Sequence, residues 1–264
     1  MNADPSDLDN WESGIGFTSM RSHYWTSADL IDSVDLVQPA PQEMYVDDIY
    51  FATILNPYGF VKVKDTLYKV LTDRVEKYVE GSLVDAFTFN VETTIITEDE
   101  NGNVTDSTVI FGKTSSGCCN NPGLTRPANS YKSNWQKRKV RKRYWHSTRR
   151  MLKSVTWNRF YGFYASIGSK SRTYKKKYGF WWNNRVDHLG VWAKGYWTPQ
   201  TFTPGAPWWN FDINRCKNNK YYVGKTVAWE SGNLTTRFGI NGAFYHKKVN
   251  SNCTGKRQIG PYNF

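Results

Sequence analysis

The residues with the clearest chemical potential form a run of positive side chains between positions 137 and 143. Six of these seven residues are Lys or Arg, and Val140 alone interrupts them. In an extended chain, alternate residues share a face. The run therefore divides into Lys137, Lys139, Arg141 and Arg143 on one face and Arg138 and Lys142 on the other. Neither face is apolar, so the run is predicted to be exposed.

Further positive charge follows at Arg149, Arg150 and residues 175–177, which are all Lys. Together with the run at 137–143, these residues predict a patch that attracts a polyanion through salt-dependent electrostatics. The matching partners are an anionic glycan, lipopolysaccharide, acidic lipid or nucleic acid. Two other interpretations stay open. The lysines could protect an edge strand from aggregation, or the patch could dock onto acidic residues of the same chain.

Tryptophan is concentrated in the same part of the chain. Ten of the 12 Trp residues lie from Trp135 onward, including the tandem pairs 181–182 and 208–209. In a strand, one member of each pair faces outward, where it can stack on a sugar ring or a base. The candidate contact residues are Trp182, Trp208 and Trp209, and most other tryptophans are predicted to be core.

The patterns required for catalysis are missing from this sequence. None of the four His residues belongs to an HExxH or His-x-His pattern, and no nucleophile elbow or Walker loop is present. Asp187 and His188 would point to opposite faces of a strand, so they do not form a dyad. The sequence therefore predicts a non-enzymatic protein with no cofactor.

The four cysteines give a limited prediction. Without a C-x-x-C pair, a metal site has little support. A disulfide between Cys216 and Cys253 is one option in an oxidising compartment, and a bond from either of them to Cys118 or Cys119 is another. Free structural thiols are the third option.

The elements that carry these residues are separated by charge. Residues 1–106 hold 20 of the 23 acidic residues, whereas residues 107–264 hold 29 of the 35 Lys and Arg residues. Between Asp106 and Asp187 there is no acidic residue. We therefore predict an acidic α+β portion at 1–112, a linker or long loop at 113–134 and a basic, Trp-rich β domain at 135–264.

The acidic portion is predicted to begin with a helix within residues 18–37. A helical turn at 47–55, capped by Asp47 or Asp48, follows, and then an Asn-Pro-Tyr-Gly turn. Short alternating segments predict a β-meander over 60–79. An acidic Asn-Gly turn near residue 101 predicts a hairpin between 87–96 and 104–111.

The basic portion is predicted to be mainly β. Eight strand segments at 140–145, 153–157, 160–167, 172–181, 186–197, 221–229, 234–238 and 243–249 are separated by turn signals such as Gly168-Ser169 and Asn241-Gly242. Residues 198–220 are predicted to be a long functional loop. The fold class is therefore mainly β with a small α+β N-terminal portion, and the C-terminal half is a β-sandwich or a partly closed barrel.

Some of these motifs carry a family resemblance. Leu55-Asn56-Pro57-Tyr58-Gly59, followed by Val63, Asp65 and Tyr68, matches the pattern LN-x-x-G-x-x-x-V-x-D-x-x-Y. This block resembles a family of uncharacterised Bacteroidota proteins that are typically exported or lipid-anchored. The segments Trp11 to Ser19 and Phe163 to Trp192 are similar to other parts of that family. The resemblance implies a cell-envelope or secreted location and carries no catalytic residues.

Location and function are predicted from these features together. The opening residues, Met1 to Ser6, show neither a signal segment nor a lipobox cysteine, so export is implied by the resemblance alone. The sequence contains no run of about 18 apolar residues, so it predicts no transmembrane helix. We expect an exported or cell-surface protein that binds an anionic or glycan partner. The alternatives are an intracellular nucleic-acid-binding protein and an assembly subunit that pairs acidic with basic halves.

Overall fold

A computed structural model describes residues 5–24, 44–97, 119, 124, 126–127, 136–145, 149–177, 179–200, 208–231, 237–252, 254 and 256–264. The described chain is mainly β, as predicted from the sequence. It forms two compact units, the first from Met1–Phe89 with Tyr161–Phe163 and the second from the remaining residues. This division lies between Phe89 and Asn90, whereas most of the predicted linker at 113–134 lies outside the described residues.

The described residues of the first unit include the helices α1 (Pro5–Gly14), α2 (20–24) and α3 (Ile49–Ile54). The predicted helical turn at 47–55 is confirmed, because the Asp48 side chain caps α3 by accepting a hydrogen bond from the Tyr50 amide. The helix predicted within 18–37 from a Ser27 cap and the spacing of Leu30 and Val34 lies outside the described residues, apart from residues 20–24, which form α2.

A four-stranded antiparallel sheet follows α3. Its strands are β1 (Phe60–Val63), β2 (Thr66–Val70), β3 (Arg74–Val79) and β4 (Ser82–Thr88), in that order. The meander and the turn before it are confirmed. Asn56 fixes this turn, since its Oδ1 accepts hydrogen bonds from the amides of Tyr58 and Phe60. Gly59 has a φ of +84° and packs against Tyr45 and the Val70 carbonyl, which leaves no room for a side chain.

The second unit contains two open sheets. Its strands are β5 (Asn90–Ile96), β6 (Lys137–Trp145), β7 (Arg150–Phe160), β8 (Tyr164–Lys177), β9 (Phe180–Asn183), β10 (Val186–Gln200), β11 (Trp209–Lys220), β12 (Tyr222–Ser231), β13 (Arg237–Val249) and β14 (Arg257–Asn263). One sheet has the order β12-β8-β7-β6-β5, with β9 paired to β8, and the other has the order β11-β10-β13-β14. Within the described residues neither sheet closes on itself.

The two sheets of the second unit pack face to face. Thr156 of β7 lies 2.9 Å, oxygen to oxygen, from the Tyr262 hydroxyl of β14, and the Asn158 amide donates to the Phe238 carbonyl of β13. Leu189, Val191 and Phe244 are fully buried on the facing strands. The arrangement is that of a β-sandwich, which is one of the two architectures predicted.

Several predicted boundaries in the second unit are wrong. Gly168-Ser169 lies within β8 and Asn241-Gly242 lies within β13, so neither is a turn. Residues 209–220, predicted as loop, form β11, whose alternating Phe211 and Ile213 are buried. β14 was not predicted.

The pairing of β5 is also unexpected. It runs parallel to β6, with Asn90 opposite Lys137 and Ile96 opposite Arg143. The hairpin partner predicted for it, residues 104–111, lies outside the described residues. This parallel pairing places a strand from the acidic half of the sequence within the basic sandwich.

Candidate anion-binding surface

The basic run at 137–143 forms most of β6, and the prediction that it is exposed is wrong. Three of its cations point between the sheets toward β14. The Lys139 Nζ donates to the Asn263 carbonyl at 3.3 Å, and the Arg143 Nη1 donates to the Gln258 carbonyl at 2.7 Å. The Arg141 guanidinium lies 4.2 Å from the centre of the Tyr262 ring. These contacts join the two sheets, so part of the run serves the packing of the sandwich.

The remaining cations of the run, Lys137, Arg138 and Lys142, are half-buried. Arg143, which contacts β14, is buried. Lys139 lies 3.6 Å from Glu92 of β5, and burial lowers its pKa although Glu92 opposes that effect. The run is therefore covered on one side by β5 and β14 and does not form an open basic face.

The exposed charge lies farther along the same sheet, where β7 begins and β8 ends. We call Arg149, Arg150, Lys175, Lys176 and Lys177 the basic tip; Arg150 and Lys175 are cross-strand partners. Arg149, Arg150, Lys176 and Lys177 are exposed, whereas Lys175 is half-buried. The antiparallel pairing of β7 with β8 therefore brings together residues that are separated by about 25 positions in the sequence.

Aromatic side chains flank the basic tip on both sides of the sheet. In one cross-strand row, Trp145 pairs with Arg150, Arg150 with Lys175, and Lys175 with Trp182. Paired residues of neighbouring strands share a face, with Cβ atoms about 5 Å apart. Both tryptophans of this row are buried, and they lie beside Arg150 and Lys175 on the same face of the sheet.

Two further aromatics beside the basic tip are accessible to solvent, and they lie on opposite faces of the sheet. Trp181 pairs with Lys176 and faces away from Trp182, whereas Phe180 pairs with Lys177 and shares the face of Trp182. Trp181 is half-buried, its ring centre lies 5.6 Å from that of Tyr144, and Phe180 is 51% exposed. One member of the Trp181-Trp182 pair was predicted to face outward. The structure assigns that position to Trp181, and Trp182 is buried.

No described residue forms an ion pair with any member of the basic tip. A further cation, Lys248 of β13, lies nearby with its Nζ 5.6 Å from the centre of the Trp145 ring. Burial lowers the pKa of Lys248, and the positive charges of Arg257 and Arg150 lower it further, whereas Asp187 raises it. Cations that repel one another in this way favour the arrival of an anion.

The candidate residues Trp208 and Trp209 lie elsewhere. Trp209 begins β11 and pairs with Trp197, near the end of β10. The basic tip lies at the other end of β10, beyond its first residue. The ring centres of Trp197 and Trp209 are 4.7 Å apart, and Trp209 is 44% exposed. Trp208 is half-buried. This tryptophan pair is therefore separate from the basic tip.

The cysteine pairing also differs from the first option predicted. Cys216 of β11 is bonded to Cys119, 97 residues away in the sequence, and not to Cys253. Cys253 and Cys118 lie outside the described residues. Cys216 packs against a buried cluster of Leu124, Trp192 and Tyr245, so the disulfide fixes the segment that contains Leu124 to the outer face of the β10–β13 sheet.

Comparisons with family models, with curated protein sequences and with solved structures found no match. Among the described residues, the helices lack the length and apolar character required to cross a membrane.

Proposed function

We propose that this protein binds an anionic polymer at the basic tip. The observation that carries the proposal is the grouping of five cations without an ion-pair partner among the described residues, beside the accessible rings of Trp181 and Phe180. The cations would contact successive anionic groups of the polymer. The rings would stack on the sugars or bases between those groups.

An anionic glycan or lipopolysaccharide in the cell envelope or outside the cell is the partner class that fits best. The Cys119–Cys216 disulfide supports this location, because disulfides persist in oxidising compartments and are rare in the cytosol. The resemblance to exported Bacteroidota proteins is consistent with it and remains a prediction. Binding would require no catalytic group, in keeping with a non-enzymatic role.

The direct test compares two double variants on a heparin-like polyanion resin. Lys176→Gln/Lys177→Gln removes two exposed charges from the basic tip. Lys62→Gln/Lys64→Gln removes two exposed charges from the first unit and serves as the matched control. We expect the wild type and the control to elute at similar salt concentrations and the tip variant to elute earlier. The slope of log affinity against log salt should fall by about one for each lost contact.

The outcome has clear alternatives. Equal elution of the two double variants would show that retention reflects overall charge and would reject the basic tip as the site. Absence of retention of the wild type would reject polyanion binding altogether. Competition then separates partner classes: a sulfated glycan should release the protein more effectively than single-stranded DNA of equal charge. The reverse order would favour the nucleic-acid alternative.

A further inference from the structure

The outer face of the β10–β13 sheet carries a second group of chemically capable side chains, none of which belongs to the basic tip. Cys119, His188 and Cys216 each offer one ligand atom, and these atoms lie within 4.8 Å of one another. The Nδ1 of His188 is 3.8 Å from the Sγ of Cys119. We infer that the reduced protein binds one Zn²⁺ ion at Cys119, His188 and Cys216. This inference is independent of the proposed polyanion binding.

The sheet fixes two of the three ligands rigidly. Gly190 of β10 pairs with Cys216 of β11, and His188 pairs with Asn218. Because residues two apart in a strand share a face, His188 and Cys216 project on the same side of neighbouring strands. At Gly190 the ring of Trp192 occupies the space that a side chain would need, so a buried ring borders the cluster.

The third ligand reaches the sheet on a separate segment. Besides the bond to Cys216, this segment is held where Leu124 packs on Trp192 and Tyr245 and where the Arg126 guanidinium lies 5.4 Å from the centre of the Tyr196 ring. These contacts do not depend on the disulfide. After reduction Leu124 therefore stays on the sheet, and Cys119, five residues away, stays tethered within about 17 Å of it.

The donor set is suited to zinc. Two thiolates and one imidazole form the Cys₂His combination that Zn²⁺ accepts, at about 2.3 Å to sulfur and about 2.0 Å to nitrogen. All three side chains are half-buried, which leaves access for an ion. A water molecule or the amide oxygen of Asn218, 2.8 Å from the His188 Nδ1, can fill the fourth position. Ligand atoms within 4.8 Å of one another need to move by only about an ångström to reach a tetrahedral arrangement.

The oxidised and metal-bound states exclude each other. A small dithiol breaks the Cys119–Cys216 bond by thiol–disulfide exchange; it loses two electrons and becomes its own disulfide, and the protein gains two thiols. Zn²⁺ then displaces the two thiol protons to solvent and is bound by two thiolates. Reoxidation by a small-molecule disulfide reforms the Cys119–Cys216 bond, returns two electrons to the oxidant and releases the ion.

The experiment uses Co²⁺ as a spectroscopic probe of the full chain. After reduction with a phosphine, which adds no competing thiol, one equivalent of Co²⁺ should produce thiolate-to-cobalt charge-transfer absorption, and Zn²⁺ should abolish it. The oxidised protein should give no such band. His188→Ala retains every thiol and should weaken Co²⁺ binding at least tenfold, whereas His23→Ala, an exposed histidine of the first unit, should bind as the wild type does.

Two results would overturn the inference: reduced wild type without the charge-transfer band, or a His188→Ala variant that binds Co²⁺ as tightly as the wild type. The second would assign binding to thiols alone. If reduction loosens the fold, thermal unfolding provides an independent readout, because an ion that binds the folded state raises the melting temperature. Zn²⁺ should raise it for the reduced wild type and clearly less for reduced His188→Ala.

Discussion

His246 shows how a titratable residue can serve structure alone. It is completely buried between the sheets of the second unit, with its Nδ1 2.8 Å from the Ser171 hydroxyl and its Nε2 3.1 Å from the Tyr262 hydroxyl. Burial, with a smaller contribution from the charge of Arg141, lowers the pKa of His246 to about 3. At neutral pH the ring is therefore an uncharged hydrogen-bonding core residue.

This pKa predicts the pH dependence of stability. The unfolded chain binds a proton at His246 below about pH 6.5, whereas the folded protein binds it only near pH 3. Stability should therefore fall as the pH decreases from about 6.5 toward 3, by up to about 1.4 kcal/mol per pH unit. Denaturant titrations of the second unit's transition at about pH 7, 6 and 5 measure this slope.

His246→Gln should flatten the pH dependence, because Gln preserves hydrogen bonding and does not titrate. The variant should be less stable than the wild type at pH 7, and the difference should shrink as the pH falls. A difference that is constant between about pH 7 and 5 would contradict the assigned pKa. His23→Gln, at an exposed site, is the control and should follow the wild type.

At the scale of single elements, β8 is continuous because of Gly168. The ring of Trp157 lies where a side chain at residue 168 would be, and the Lys225 backbone oxygen is close on the other strand. The Trp157 Nε1 donates to Ser166 Oγ, which fixes the ring in this position. Glycine is therefore present to admit an indole ring, and its backbone flexibility plays no part.

Gly168→Ala should consequently destabilise the second unit by about 1–3 kcal/mol, since the added methyl group overlaps a fixed ring and backbone. The free energy of unfolding from denaturant titration measures the effect. Gly14→Ala, where nothing lies within 4 Å of the new methyl group, is the control and should be neutral or slightly stabilising. If Gly168→Ala is as stable as the wild type, the Trp157 ring is not fixed as described.

Elements fixed by hydrogen bonds between nearby residues could be predicted from the sequence, whereas elements fixed by tertiary packing could not. The α3 cap at Asp48 and the turn at Asn56 depend on hydrogen bonds within a few residues, so the sequence predicted them correctly. Gly168-Ser169 and Asn241-Gly242 look like turns in sequence, yet aromatic rings such as those of Trp157 and Phe244 occupy the space beside their glycines. Such packing depends on tertiary partners that no local pattern contains.

The candidate sites were predicted in part for the same reason. The cations at 175–177 were identified because charge is visible in composition. The role of Trp181 in place of Trp182 depends on the register between β8 and β9. The group of Cys119, His188 and Cys216 combines ligands up to 97 residues apart, so no short sequence motif predicts it.

For the whole molecule, the separation of charge raises the question of whether acidic and basic regions of different copies join. Several of the described carboxylates are already engaged within the chain. Glu12 binds Arg21, Glu76 binds Arg74, Glu92 contacts Lys139 and Asp212 contacts Lys194, each within its own unit. These pairs consume acidic charge that an assembly would require.

We therefore expect a monomer of 30.6 kDa whose mass does not depend on ionic strength. Sedimentation equilibrium at about 0.05 M and about 0.5 M salt makes the comparison, because the Debye length shortens from roughly 14 Å to roughly 4 Å over this range. Charge-driven assembly would raise the mass at low salt and reverse at high salt. If the Lys176→Gln/Lys177→Gln variant showed a smaller increase in mass at low salt than the wild type, the basic tip would bind another copy of the chain in place of a polymer. Constant mass, together with salt-dependent retention on the polyanion resin, would assign the cations of the basic tip to a separate anionic partner.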